Sequence, residues 1–204
     1  MIKFDVLESP FRCRTKDTLR FQEMKTAIER LSQGDTMDDL RRMSVEENIF
    51  SAVSPSRAKE ILNMIRRRLD KVDQAFLAFF LSESIEIQKV LCVVTVMLED
   101  RSFYTFMDDV FKEKLIAGES VLYKDDLIAF IHKLQTRDEK AASWTDDGIR
   151  HMRDNYKSIL REGGLISAAG QDRQILRPLL TEKTIIYLDG QGLSPIRKIL
   201  TGER

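Results

Sequence analysis

Apolar residues recur along most of this chain at spacings of three and four, the period of helices that bury one face. Residues 17–32 read as a first helix, with Asp17 as N-cap and Leu19, Met24, Ile28 and Leu31 as an apolar stripe. Gln33-Gly34-Asp35 ends it, and Thr36-Met37-Asp38-Asp39 opens a short second helix reaching Met43. Ser44-Val45-Glu46-Glu47 resembles a capping box for another short turn through Phe50. Ser54-Pro55-Ser56 starts a helix whose buried positions are Ala58, Ile61, Leu62, Ile65 and Leu69. Proline suits its first turn, where a backbone N–H has no intrahelical acceptor. Residues 73–81, 101–117 and 124–135 carry the same period. In 84–99 the β-branched content leaves a strand open, and the length argues for a buried helix.

Residues 144–166 carry the clearest local code. Thr145 is placed as N-cap, and Asp146 and Asp147 follow where the helix dipole favours negative charge. Ile149, Met152, Tyr156, Ile159 and Leu160 define the buried face; Gly163-Gly164 ends the helix, and Leu165-Ile166 returns to the core. Beyond it the pattern weakens. Ser167-Ala168-Ala169-Gly170 reads as a loop, Ile175 to Leu188 as a short helix plus strand, and Ser194-Pro195 opens a terminal helix from Ile196 to Leu200. Residues 1–16 look irregular, broken at Ser9-Pro10. The expected fold class is all-α: a multi-helix body of two subdomains, 1–80 and 81–204, packed together, with room for a small β-hairpin or wing near the C-terminus.

Composition narrows the function. Lys+Arg and Asp+Glu both number 33, so nucleic-acid binding would have to come from local segregation of charge. Charged residues at 32% and hydrophobic residues at 43% describe a globular protein with many solvated helix faces. Cys13 and Cys92 form no disulfide framework, which fits a reducing compartment, and Cys92 sits in an apolar run where an inert thiol is the default. The N-terminus has no signal architecture, and no apolar run approaches the roughly 20 residues that span a bilayer, so the expected location is the cytoplasm.

Two segments concentrate cations. In 55–71, six basic residues (Arg57, Lys59, Arg66, Arg67, Arg68 and Lys71) face Glu60 and Asp70, a local balance of +4. In 148–161, Arg150, Arg153, Lys157 and Arg161 follow a +3, +4, +4 spacing, so they share one stripe opposite the apolar face. Each helix is capped by a hydroxyl residue and follows a short helix, the layout of a helix-turn-helix unit. A solvated helix surface explains such stripes equally well. Trp144 reads as a hydrophobic staple ahead of the cap, rather than a base-stacking platform.

Catalysis has little support. His132 and His151 have no partner at metal-ligand spacing; His132 is expected to be partly buried and hydrogen-bonded, and His151 lies beside the basic stripe. Asp108, Asp109 and Glu113 with Lys112 and Lys114 evoke a nuclease set, but such sites normally sit on strands and this segment reads as helix. No phosphate-binding glycine loop or activated nucleophile is present. The expectation is no enzyme, no cofactor and no metal.

Three stretches resemble the BrxA family of bacteriophage-exclusion (BREX) defence systems. They are Glu46-Glu47-Asn48-Ile49-Phe50 with the Ser56-Arg57-Ala58 helix and its Arg68-Leu69 end; the apolar centre from Glu86 through Arg101-Ser102-Phe103 to Phe106; and Trp144-Thr145 with Leu160-Arg161-Glu162-Gly163-Gly164-Leu165-Ile166. The resemblance implies a non-enzymatic all-helical protein with two helix-turn-helix units beside a positive surface, binding double-stranded DNA and working with other phage-defence proteins. Its implied contacts are Arg57, Lys59, Arg66, Arg67 and Arg68 in one unit, and Thr145, Arg150, Arg153, Lys157 and Arg161 in the other. The N-terminal stretch departs from the family by lacking a glycine-rich apolar opening. The alternative function is a protein–protein adaptor docking on larger defence components without touching DNA.

Overall fold

One buried helix organises the molecule. The computed structural model describes residues 2–168 and 172–204, and α5 (Ile85–Glu99) runs through its middle with every residue from Val90 to Glu99 buried. A helix this apolar all round is stable only when other helices cover it on every side. Helices α1 (Phe21–Ser32), α3 (Pro55–Leu69), α4 (Gln74–Ser82), α6 (Arg101–Phe106) and α10 (Asp146–Glu162) do so. Ser84 caps α5, and Thr95, the buried hydroxyl within it, donates to the Cys92 carbonyl at 2.7 Å.

The N-terminal half follows the sequence signals with two corrections. Asp17 does not cap the first helix. Residues 17–20 form no helix, and α1 starts at Phe21, with Arg20 in the left-handed region at φ 57°. The Asp17 carboxylate is taken instead by Arg14 and Arg67. Ser44 likewise opens no new turn: it lies inside α2 (Met37–Glu46), its hydroxyl donating to the Arg41 carbonyl at 2.9 Å. The capping box of α2 lies eight residues earlier, Thr36 with Asp39. The Ser54 cap and Pro55 first turn of α3 are as read, and Ala58, Ile61, Leu62, Ile65 and Leu69 are all buried.

The C-terminal half builds a small sheet. The 101–117 helix is continuous but changes pitch: α6 leads into a π-helical stretch, Met107–Lys112, before α7 (Glu113–Ala117). Strand β1 (Val121–Leu122) precedes α8 (Lys124–Gln135), α9 (Glu139–Ala142) and α10; β2 (Arg173–Gln174) then returns antiparallel to β1, pairing Val121 with Gln174 and Leu122 with Arg173. An Ile166–Ile175 bridge extends the ladder. Helices α11 (Glu182–Gly190) and α12 (Ser194–Thr201) close the chain. The fold is thus all-α with a small antiparallel hairpin-like sheet near the C-terminus. Of the Ser167–Gly170 loop, Ala169 and Gly170 lie outside the described residues. Among the described residues, no helix is long and apolar enough to cross a membrane.

Candidate nucleic-acid interface

Helix α10 is fixed by the code read from its sequence. Thr145 accepts the Gly148 N–H at 3.1 Å. At the far end the Leu165 N–H returns to the Leu160 carbonyl at 2.8 Å, with Gly164 at φ 74°, a left-handed stop that an L side chain would strain. Its inner face meets the aromatic core: Tyr156 packs edge-on against Phe103 at 5.0 Å between ring centres, and Phe106 lies 5.4 Å away. Trp144 is half-buried against the core ahead of the cap.

The outer face carries the stripe, but its members differ in reach. Thr145, Arg150 and Arg161 are exposed. Arg150 pairs with Asp147 at 3.1 Å, both largely in solvent, where such a pair is worth about 0–1 kcal/mol and yields easily to another anion. Arg153 lies flat, its side chain only 13% exposed and 2.8 Å from Asp154. Lys157 is half-buried; burial first, then the neighbouring charges of Arg153 and of Arg173 on β2, hold its ammonium below the ordinary lysine range. Strand β2 therefore adds a cation to the middle of the stripe.

Helix α3 sorts its cations more sharply. Lys59 and Arg66 face solvent. Arg57 is bound to Glu60 at 2.6 Å, and Arg67 reaches Asp17 at 2.6 Å and Glu99 at 3.2 Å. Arg68 was expected on the outer face and is not there: it is 1% exposed, inside the core. Its Nη1 donates to the Leu19 carbonyl at 2.7 Å, and its Nη2 to those of Thr18 at 2.9 Å and Asp17 at 3.0 Å. The cause is geometric, since Ile61, Ile65 and Arg68 follow the +4, +3 spacing of the buried face. Burial lowers the pKa of Arg68, yet a guanidinium starting so high keeps its charge.

The two basic helices meet through residues 14–20. From α3, Arg68 holds the carbonyls of 17–19. From α10, Asn155 donates to the Arg14 carbonyl at 3.2 Å, and the Glu162 carboxylate accepts the Arg20 and Phe21 N–H groups at 3.3 and 2.8 Å. Glu162 thus caps α1 from the end of another helix. Below this segment, Glu99 collects Arg14 at 2.6 Å and Arg67, while its neighbour Asp100, buried, accepts the Ser102 N–H at 2.9 Å. Burial, then the adjacent Glu99 charge, push Asp100 up to about 7.

The other candidates disperse. His132 is exposed rather than partly buried, its Nδ1 3.0 Å from Gln135 Oε1, because it lies on the outer side of α8. His151 is exposed beside Asp147. Asp108 bonds Lys112, while Lys114 turns to Glu119 at 2.6 Å and Asp126 at 3.0 Å, so the carboxylates and lysines of this segment do not converge. Among the described residues, no three His, Cys, Asp or Glu side chains are grouped to hold a metal ion. Cys92 is buried and its thiol is pushed far up by desolvation.

The BrxA family model matches residues 14–192. The chain belongs to the BrxA family. A protein named "BREX protein BrxA" from Bacillus cereus (strain H3081.97) is 32% identical over 203 residues, covering 100% of both chains. The fold is also that of an uncharacterized protein from Magnetospirillum magneticum whose crystal structure superposes with a TM-score of 0.80, at 16% identity, over 96% of this chain and 100% of the other.

For this BrxA-family chain, the sequence reading missed Arg14, Lys16 and Arg20, which lie on the segment between the two basic helices. A signal was present. Arg12, Arg14 and Lys16 alternate at period two, the spacing that puts side chains on one side of an extended strand. The irregular look of residues 1–16 obscured it.

Proposed function

We propose that this protein is a non-enzymatic, double-stranded-DNA-binding component of BREX-type phage defence, acting beside the other proteins of such a system. Membership of the BrxA family and the name of the Bacillus cereus relative support the setting. The DNA-binding part rests on one observation above others: α10 carries Arg150 and Arg161 outward, with Lys157 half-buried between them, on an element order, β1–α8–α9–α10–Ile166–β2, that resembles a winged helix-turn-helix. In that arrangement the helix before the hairpin enters the major groove, whose width of about 12 Å admits one helix. In this reading α2 and α3, joined by residues 47–54, serve as a second, longer-turned unit, with Lys59 and Arg66 outward. Most contacts of this kind go to phosphates, so binding is salt-sensitive and weakly sequence-selective.

Fluorescence anisotropy with a labelled duplex at low salt tests this. The triple variant R150E/K157E/R161E is expected to lose most of its affinity, and K59E/R66E to lose part. Unchanged affinity in the triple variant, with unchanged melting, would remove α10 as the DNA-facing surface. A salt-insensitive complex with another defence protein and no duplex binding would favour the adaptor role instead.

A further inference from the structure

A groove away from the α10 stripe has the make-up of a ligand site. One end is a cleft of about 550 Å³ between the start of α1, the 49–53 turn and α3. Its floor is apolar, formed by Ile49, Phe50, Ala52 and Ile61, and Gln22 and Thr26 stand at its edge. The cleft runs on into a second of about 300 Å³, and the two share Arg20, Arg57 and Ile61. This second end is cationic: Arg14, Lys16 and Arg67 join the shared arginines, against Asp17 and Glu60. No residue of 145–161 lines either part.

The walls are set in advance. Asn48 and Ser51 both take left-handed backbones, at φ 51° and 48°, and across the cleft Arg20 does the same at 57°; these are the described non-glycine residues with positive φ. Asn48 locks its turn by accepting the Ala52 N–H at 2.8 Å and donating to the Ala52 carbonyl at 3.0 Å. On the other side Glu162 holds Arg20 by its N–H. Strained backbone of this kind persists where surrounding structure over-determines it, and it gathers at ligand clamps. Preformed walls also reduce the entropy lost on binding.

The two ends ask for a ligand with a flat, mostly neutral part and an anionic tail. We propose that this groove binds a nucleotide, its base on the Ile49–Phe50–Ile61 floor and its phosphates between Arg57, Arg20 and Lys16. Arg57 and Arg20 are now held by Glu60 at 2.6 Å and Glu23 at 2.8 Å, side chains one helix turn away. Pairs of this partly exposed kind contribute little, and a phosphate offers the guanidinium stronger bidentate bonds. The nucleotide comes from one of two sources, the free pool or an unpaired unit of a nucleic-acid strand.

Calorimetric titration of the full-length protein, without added metal, tests the groove with ATP, adenosine and tripolyphosphate. ATP is expected to bind about tenfold or more tighter than either fragment, and R57E to weaken it by about tenfold or more. Arg57 is partly exposed, so R57E should melt like the parent protein; K16A supplies a second variant with a smaller loss. If ATP does not bind, a duplex with an unpaired overhang should bind tighter than a blunt duplex, with R57E abolishing the difference, which assigns the source to a strand. Equal binding of ATP and tripolyphosphate would overturn the proposal, leaving an unselective anion patch. So would the absence of both the ATP and the overhang effects, or their survival in R57E. The R150E/K157E/R161E variant separates this site from the α10 surface, because it should lose duplex binding and keep the ATP titration intact.

Discussion

At the scale of single residues, Arg68 and Asp100 show how much of this molecule depends on buried polar groups. Arg68 satisfies three backbone carbonyls of a segment that makes no ladder of its own. Replacing it by methionine keeps the volume and leaves those carbonyls without donors. The expected cost is about 3 kcal/mol or more in urea denaturation, and R68K should recover little because an ammonium donates from one point and cannot replace the two separate nitrogens of the planar guanidinium. A loss below about 1 kcal/mol would mean that water replaces the guanidinium. Asp100 predicts a pH dependence. Its carboxyl sits near 7 in the fold against 3.8 when exposed, so between those values the folded chain binds more protons than the unfolded one. Its contribution is therefore greatest in acid and is lost as pH rises from 3.8 through about 7, beyond which it is flat. Relative to D100N, the parent protein should lose stability across that interval by at most about 4 kcal/mol. Denaturation curves at several pH values measure the difference, and parallel profiles would place an ionised carboxylate at the α6 cap throughout.

At the scale of elements, the end of α10 shows why some features were legible in the sequence and others were not. Gly163-Gly164 announced a stop, and the two glycines serve different ends. Gly164 has a left-handed backbone with open space around it, so G164A should cost about 1 kcal/mol from conformation alone. A Cβ on Gly163 would lie 2.4 Å from Val93 Cγ2 on the buried helix α5, so G163A should cost about 1–3 kcal/mol by overpacking, and V93A should partly rescue it. Thermal or urea melts of the three variants decide this, and simple additivity would refute the contact. The stop was readable because helix capping is local chemistry. The Val93 contact was not, because it joins residues far apart in the chain. The same division runs through the candidate interface. Helix α10, its cap and the exposure of Arg150 and Arg161 follow from periodicity. The +4, +3 spacing from Ile61 and Ile65 already put Arg68 inside, and charge was read ahead of phase. Residues 14–20 carried no helical period or ladder pattern beyond the Arg12, Arg14 and Lys16 alternation, because side chains of α3 and α10 supply the hydrogen bonds that a helix or sheet would otherwise provide.

At the scale of the whole molecule, 33 cationic and 33 anionic side chains cancel, so position has to do what net charge cannot. Two populations of cations result. Arg68 and Arg153 are spent inside the fold or flat against it, whereas Lys59, Arg66, Arg150 and Arg161 extend into solvent. The second group is placed to displace counterions from DNA, and this separates folding from binding in one experiment. The slope of log affinity against log salt counts phosphate contacts, falling by about one for each contacting cation removed. R161A and R66A should each lower the slope by about one while leaving the melting temperature nearly unchanged. R68M should do the reverse, lowering stability while keeping the slope of whatever fraction remains folded. R153A should change the slope little, since its side chain is mostly covered and held by Asp154. If R68M and R161A altered the slope equally, the basic helices would be acting through overall folding, and a defined DNA-facing surface would have to be abandoned.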